Sequence, residues 1–156
     1  MATRAVILRP ATTADAQAVA LVHRAAFDQA LSWIPPLHTP AEDLAYFSGL
    51  VVDQSTTVAE RDGQVVGFTS YLDCWLNQLY VSPSEQSNGI GGTLLRAVKT
   101  EHESVAPNTP LQLWTFQANA GARRFYERHA FVAVEFTDGS RNEEREPDVR
   151  YEWVSD

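Results

Sequence analysis

Residues 86–93 read Gln-Ser-Asn-Gly-Ile-Gly-Gly-Thr and lie between a predicted strand and a predicted helix. The first N–H groups of a helix have no partner within the helix and lie at the positive end of its dipole, so they can bind a phosphate group. Glycines let the backbone adopt positive φ and approach such a ligand closely. The segment therefore predicts a phosphate-binding loop. A turn that starts a helix without any ligand is the competing interpretation.

Two nucleotide-binding motifs fail on these same residues. The P-loop needs Gly-Lys-Ser/Thr, but Gly92 is followed directly by Thr93. The dinucleotide fingerprint needs a third glycine where Leu94 stands, and it belongs to a strand-helix-strand unit. A phosphate ligand held without lysine remains, and a nucleotide phosphate stays open as one such ligand.

Residues 79–83, which read Leu-Tyr-Val-Ser-Pro, precede a Gln-x-x-Gly-x-Gly pattern at Gln86, Gly89 and Gly91. This arrangement resembles the acyl-CoA-binding motif of the GNAT superfamily of N-acetyltransferases: Gln or Arg, two residues, Gly, one residue, and Gly or Ala. The resemblance implies that the loop amides bind the pyrophosphate and that the preceding strand pairs with the pantetheine arm. The implied contacts of acetyl-CoA are Leu79, Tyr80, Val81, Gln86, Ser87, Asn88, Gly89, Ile90, Gly91, Gly92, Thr93, Asn119 and Tyr126.

A second motif lies at the family's usual distance from the first. Residues 119–126 read Asn-x-x-Ala-x-x-Phe-Tyr and are followed by Phe131, with Ala130 in place of the family's usual glycine. The resemblance implies that Asn119 hydrogen-bonds the pantetheine arm and that Tyr126 is the general acid at the thioester sulfur. Because a phenol near pKa 10 is a weaker acid than a thiol near 8.5, a hydrogen bond to the sulfur is the safer role. A core aromatic residue is the competing interpretation of Tyr126.

The acceptor side carries fewer signals. An alkylammonium group must lose a proton before it attacks, at a cost of about 4.6 kcal/mol at pH 7, so a general base or a water path is expected. Members of the family often use a glutamate on the fourth strand, but this strand begins Trp-Leu-Asn-Gln. Asp73 and His38 are the nearest candidate bases, and surface or packing roles are the alternative. The resemblance suggests Trp33, His38 and Trp75 as walls of the acceptor pocket.

The resemblance implies a function as well as a site. It implies an N-acetyltransferase that moves an acetyl group from acetyl-CoA to a primary amine of a small molecule or peptide, by direct attack in a ternary complex. The alternative is a catalytically weak acyl-CoA-binding sensor or scaffold, which the missing strand carboxylate keeps open. No metal is implied. A homodimer, the acceptor's identity and the acyl chain length are left open.

The spacing of apolar residues predicts the elements that position these motifs. The resemblance implies an α/β (α+β) fold in one domain over residues 1–156: a mixed, mostly antiparallel sheet of six to seven strands, with about four helices on both faces, splayed between strands four and five. An Asp-Gly turn at residues 62–63 predicts a hairpin within an antiparallel meander. Residues 138–148 are predicted to be an exposed loop. Strands are predicted over residues 5–8, 57–60, 64–72, 75–81, 111–116, 131–136 and 149–154, and helices over 16–27, 41–50, 94–102 and 122–129.

Composition excludes several classes of protein. The 156 residues include 12 basic and 20 acidic side chains, a net charge of −8, which argues against nucleic-acid binding. The single Cys74 predicts no disulfide within the chain and a reducing, cytoplasmic location. No apolar run approaches the roughly 20 residues of a membrane helix, and the three-residue apolar run near the start is too short for a signal peptide.

Overall fold

The computed structural model describes residues 5–155; residues 1–4, which belong to the segment assessed for a signal peptide, and residue 156 lie outside it. Its seven strands form one sheet in the order β1-β2-β3-β4-β5-β7-β6. Every neighbouring pair is antiparallel except β4 and β5, which confirms the predicted mixed sheet. The strands are β1 (Ile7–Pro10), β2 (Ser55–Arg61), β3 (Gln64–Leu72), β4 (Trp75–Val81), β5 (Leu111–Phe116), β6 (Val132–Phe136) and β7 (Asp148–Trp153).

Helices cover both faces of this sheet. On β2, the adjacent buried residues Val58 and Ala59 point to opposite faces, as successive strand residues do. Val58 packs with the first two helices, and Ala59 packs with the start of the third helix. In residues 5–155, no helix is long and apolar enough to cross a membrane. The α-helices are α1 (Ala16–Ala30), α2 (Pro40–Asp53), α3 (Ile90–Val105) and α4 (Ala120–Arg128).

Two tight turns build the predicted meander of β2, β3 and β4. Asp62 and Gly63 both have positive φ, 52° and 80°, as the two-residue turn preferred in hairpins requires. Asp73 and Cys74, between β3 and β4, also have positive φ, 50° and 70°. The meander predicted from the alternating pattern is confirmed.

Several boundaries differ from the predictions, and two of the differences, in β1 and α2, involve proline. β1 begins two residues later than predicted and includes Pro10, which an edge strand tolerates because a missing N–H there breaks no ladder hydrogen bond on its open side. α2 begins at Pro40 because Thr39 caps it: Thr39 Oγ1 accepts from the N–H of Glu42, and Glu42 Oε1 accepts from the N–H of Thr39. Proline is favoured at the first helical position, so the helix begins one residue before the predicted start at residue 41.

The sheet splays between β4 and β5. These strands pair in register only at Trp75 and Gln112, where the Gln112 N–H donates to the Cys74 carbonyl at 2.9 Å. Leu76 and Gln78 pair with adjacent residues of β3, so Asn77 is the extra residue of a β-bulge. A bulge bends and twists its strand. The bend carries the rest of β4 away from β5, which confirms the predicted splay.

Candidate active site

The edge of β4 that faces β5 is open beyond the first residue of the strand. The Ser82 N–H donates to the Val66 carbonyl at 2.8 Å, and the direction of main-chain hydrogen bonds alternates along an antiparallel strand. The main-chain groups of Tyr80 therefore face β3, whereas those of Leu79 and Val81 face the gap. The main-chain groups of Leu79 and the N–H of Val81 are thus available to a ligand, whereas Tyr80 reaches the cleft with its side chain.

The loop before α3 presents free amides to the same gap. Gly89 precedes the helix with φ of +80°, and a Cβ built there meets nothing within 4 Å. The N–H groups of Ile90, Gly91 and Gly92 lie in the first turn and have no acceptor within the helix. The amide and the hydroxyl of Thr93 both donate to the Gly89 carbonyl, at 3.1 and 3.0 Å. The donors of Thr93 are therefore engaged within the first turn of the helix.

The polar residues at the start of the loop have separate positions. Gln86 is exposed, and its Nε2 donates to the Val81 carbonyl at 3.0 Å, which ties the loop to the end of β4. Ser87 has φ of 70° and lines the cleft between β4 and β5. Asn88 is exposed and lies outside the cleft wall.

Two of the glycines also serve packing between helices. A Cβ on Gly91 would lie 3.4 Å from the ring of Phe125, and a Cβ on Gly92 would lie 3.4 Å from Nε2 of His129. These distances correspond to ordinary van der Waals contact, so Gly91 and Gly92 lie against α4 at the side of the cleft, whereas Gly89 faces open space.

Tyr126 on α4 is buried and yet reaches the cleft. It is 8% exposed, and its ring packs against Phe125, Phe131 and Tyr151 at centroid distances of 5.2, 5.6 and 6.2 Å. Its hydroxyl makes no hydrogen bond with residues 5–155, and the residue lines the cleft. Burial, together with nearby Tyr80, raises the pKa of the phenol well above its usual value. The hydroxyl therefore stays protonated and can donate a hydrogen bond.

Asn119 links β5 to α4 and caps the helix. Its Oδ1 accepts a hydrogen bond from the Ala122 N–H at 3.2 Å, as an N-cap residue does. The residue also lines the cleft, and its Nδ2 makes no hydrogen bond with the described residues. Asn119 therefore combines a structural role with a free amide donor.

One cavity of about 890 Å³ holds these groups together. Its position follows from the bulge in β4, because a continuous β4–β5 ladder would leave no gap. The cavity is lined by Leu79, Val81, Gly89, Ile90, Gly91, Gly92, Asn119 and Tyr126, among others.

Two arginines on this cleft were missed by sequence reasoning. Arg96 and Arg128 line it, are exposed and make no ion pair with residues 5–155. Glu85, which also lines the cleft, is paired with Arg61. The cleft is therefore locally cationic on a chain of net charge −8. The position of Arg96, four residues after Gly92 on the same helical face, is the one signal that could have revealed it.

The residues predicted to form the acceptor pocket do not line this cleft. Trp33 Nε1 donates to Glu146 Oε1 at 3.2 Å, and His38 Nε2 contacts Glu143 Oε1, so both join the α1–α2 connection to the β6–β7 loop. Trp75 lies at the closed end of the gap, where β4 meets β5. The β6–β7 loop, defined here as residues 137–147, is therefore not simply a solvated loop as predicted.

Asp73, the other predicted base, also lies away from the open cleft. It is exposed in the turn before β4, beyond the point at which β4 and β5 pair. The structure thus brings Trp33 and His38 together but places Trp75 and Asp73 elsewhere. Residues 5–155 contain no group of three or more His, Cys, Asp or Glu side chains that could hold a metal ion.

Comparison with protein families identifies the class of this fold and cleft. Residues 52–133, more than half of the chain, match the family described as the acetyltransferase (GNAT) domain. The chain therefore belongs to the GNAT acetyltransferase family. It is 33% identical, over 84 residues, to the probable N-acetyltransferase Rv2775 of Mycobacterium tuberculosis, a match that covers 49% of this chain and 46% of that protein. The match thus spans about half the length of this relative.

Solved structures share the fold over nearly the whole chain. A GCN5-related N-acetyltransferase from Rhodopseudomonas palustris superposes with a TM-score of 0.83 at 23% identity and covers 99% of both chains. The PaiA N-acetyltransferase from Thermoplasma acidophilum, solved in complex with coenzyme A, superposes with a TM-score of 0.75 at 19% identity and covers 96% of this chain and 100% of that one. The predicted GNAT-like fold is confirmed.

Proposed function

We propose that this chain is an acetyl-CoA-dependent N-acetyltransferase that acetylates a primary amine of a small molecule or peptide, by direct attack in a ternary complex. One observation carries the proposal: the open edge of β4, the free amides of α3 and the Tyr126 hydroxyl line a single cleft. Membership of the GNAT family supports acetyl transfer. The coenzyme A bound to the PaiA protein supports the choice of acyl donor.

The residues of the cleft fit the parts of acetyl-CoA. Main-chain groups of Leu79 and Val81 would pair with the pantetheine amides as an added strand does. The amides of residues 89–92 would bind the pyrophosphate, and Arg96 and Arg128 would balance the remaining phosphate charge. Because hydrogen bonds to charged groups contribute roughly 1.5–3 kcal/mol each, these local donors outweigh the overall negative charge.

The chemistry assigns Tyr126 to the leaving sulfur. The thioester supplies the acetyl group. The nitrogen of the neutral amine forms a bond to the carbonyl carbon, and the carbon–sulfur bond breaks. Nitrogen then loses a proton, and sulfur leaves as a thiolate that takes one up. Tyr126 donates a hydrogen bond to that sulfur. Because its phenol is a weaker acid than a thiol, the final proton on sulfur comes from solvent.

Thiol release separates this proposal from its alternatives. Acetyl-CoA is incubated with a panel of primary amines, and free thiol is followed over time. An enzyme shows thiol release that depends on the amine. A sensor or scaffold binds acetyl-CoA, but no amine raises the rate above hydrolysis. A nucleotide-phosphate binder is protected against heat unfolding better by ATP than by CoA.

Gly89→Asp tests the phosphate loop. The carboxylate would face the pyrophosphate, so we expect CoA affinity to fall by roughly 100-fold, as the loss of about 2.7 kcal/mol implies. Gly63→Asp is the matched control, since Gly63 has the same φ of +80° and the same open space but lies in the β2–β3 turn. Both variants should lose similar stability, and only Gly89→Asp should lose affinity in calorimetric titrations. Equal affinity in the two variants would refute the loop assignment.

A further inference from the structure

A second cavity, of about 440 Å³, lies beside the cofactor cleft. Trp114, Thr115 and Phe116 line both spaces, so β5 forms a shared wall. The β6–β7 loop and the first residue of β7 supply the remaining lining. A molecule in this cavity therefore lies next to one held in the splay of β4 and β5. The loop-side residues are Thr137, Arg141, Asn142, Glu144 and Asp148.

One carboxylate at this cavity has no partner. Glu143 and Glu146 hold the two side chains of the α1–α2 connection described above. Asp148 accepts hydrogen bonds from Thr137 Oγ1 and from Asn142 Nδ2. Glu144 makes no hydrogen bond or ion pair with residues 5–155, is half-buried and lines the cavity. Its negative charge is therefore available to a ligand.

The two cavities are linked by the strand that they share. Trp114, Thr115 and Phe116 of β5 line both of them, so a group bound beside Glu144 lies across this strand from the cofactor cleft. The Glu144 carboxylate adds to the rise in the pKa of Tyr80, which burial raises to about 12, and Tyr80 lines the cofactor cleft.

The cavity combines the two features that recognise an ammonium group. Trp114 and Phe116 offer aromatic rings, which attract a cation by about 0.5–2 kcal/mol. Glu144 offers a carboxylate in a partly desolvated setting, where a charge pair is stronger than in bulk water. Arg141, the cation among the lining residues, is paired with Glu135 at 3.5 Å, and its side chain is 77% exposed. The balance of charge inside the cavity therefore favours a cationic ligand.

We infer that this cavity is the acceptor site and that Glu144 binds an alkylammonium group of the acceptor. The inference rests on the proposed function and names its substrate class: small amines, or amine-bearing peptide side chains, that are cationic at neutral pH. It also places a carboxylate near the reaction although β4 carries none. Glu144 binds and orients the amine, and the proton leaves to solvent before attack.

Binding and turnover of two simple amines test the inference. The probes are 1,4-diaminobutane and n-butylamine, with the CoA-bound protein for calorimetry and saturating acetyl-CoA for kinetics. We expect Glu144→Gln to lower the affinity for 1,4-diaminobutane and kcat/KM for both amines by about tenfold, the effect of losing one partly desolvated charge contact. Asp53→Asn makes the same charge change at the exposed end of α2, which lines neither cavity, and its values should stay within about twofold of wild type.

The outcomes separate this inference from the proposed function. A loss with both amines assigns Glu144 to the reacting amine, and a loss with the diamine alone assigns it to the second ammonium; either supports the inference. Equal effects of Glu144→Gln and Asp53→Asn, or none from either, overturn it while leaving acetyl transfer intact. If wild type acetylates no amine but binds 1,4-diaminobutane in a manner dependent on Glu144, the proposed function fails and the cation site stands.

Discussion

The ring and the hydroxyl of Tyr126 have different roles. Its ring belongs to the core formed with Phe131 and Tyr151, whereas its hydroxyl has no partner among the described residues and faces the cleft. The competing interpretations of Tyr126, core aromatic and cofactor contact, are therefore compatible, because they concern different atoms.

Tyr126→Phe separates these roles. The ring keeps its packing, so we expect unchanged thermal stability and CoA affinity. Since a hydrogen bond to a charged group contributes about 1.5–3 kcal/mol, kcat for acetyl transfer should fall roughly 10- to 100-fold. Steady-state thiol release measures this. Tyr151→Phe is the matched control, because Tyr151 is buried nearby but its hydroxyl donates to Glu127. Tyr151→Phe should lose stability and keep kcat. If Tyr126→Phe instead loses stability and keeps kcat, Tyr126 has only a packing role.

At this scale, local motifs predicted some site residues and not others. The loop glycines at positions 89, 91 and 92, Asn119 and Tyr126 stand in short patterns whose spacing reflects local backbone geometry, and all of these residues line the cleft. Arg128 and Glu144 belong to no motif. Their positions depend on how α4 and the β6–β7 loop pack against strands that are distant in the sequence. Residue spacing does not predict that packing.

The turn between α4 and β6 carries a residue that its backbone disfavours. Ala130 has φ of 70°, in the left-handed region, where the family usually has glycine. This conformation crowds a Cβ and costs about 1–2 kcal/mol for residues other than glycine. The alanine therefore leaves this turn with backbone strain that a glycine would not carry.

Ala130→Gly should stabilise the protein. Relief of strain is partly offset by the greater freedom of glycine in the unfolded chain, so we expect a net gain of about 0.5–1 kcal/mol in the free energy of unfolding. Ala25→Gly, at an exposed position within α1, should have the opposite sign and lose about 1 kcal/mol. Urea denaturation measures both. A loss of stability in Ala130→Gly would mean that the positive φ carries no strain.

The elements themselves were largely predictable, and the bend between them was not. The bounds of β3, β4 and β5 agree with the predictions because alternation and turn residues are local signals. The bulge at Asn77 arises from pairing across strands, since it is defined by which residues of β3 face Leu76 and Gln78. The resemblance supplied the splay at this point, and the structure supplies its cause.

For the molecule as a whole, His23 links stability to pH. Its ring packs against Phe27, Phe47 and Tyr80, and its Nδ1 is buried without a hydrogen-bond partner among the described residues. Burial, aided by the nearby Arg24 charge, lowers its pKa from 6.5 to about 4. His23 therefore binds a proton below about pH 6.5 in the unfolded chain, but only near pH 4 in the folded protein.

His23→Leu should remove this pH dependence. The wild type should keep its full stability above pH 6.5 and lose about 3 kcal/mol as the pH falls to 4, at 1.36 kcal/mol per unit of pKa difference. The variant should lose much less over that range. Hydrogen bonds to Arg9 lower the pKa of Asp15 to about 2. The contribution of Asp15 to stability is therefore lost only below pH 3.8. Urea denaturation at pH 7 and 4.5 measures the difference, and parallel losses in the two proteins would contradict it.

The two halves of the site differ in what an amino-acid substitution can change. The nucleotide end is built chiefly from peptide groups of β4 and α3, which every residue except proline supplies alike. The other end depends on side chains of β5 and of the β6–β7 loop, and Trp33 and His38 contact that loop from the α1–α2 connection. Replacement of that loop would exchange one set of acceptors for another while use of the coenzyme persists. Variants of this fold could therefore differ in the amine that they modify while they keep the same acyl donor.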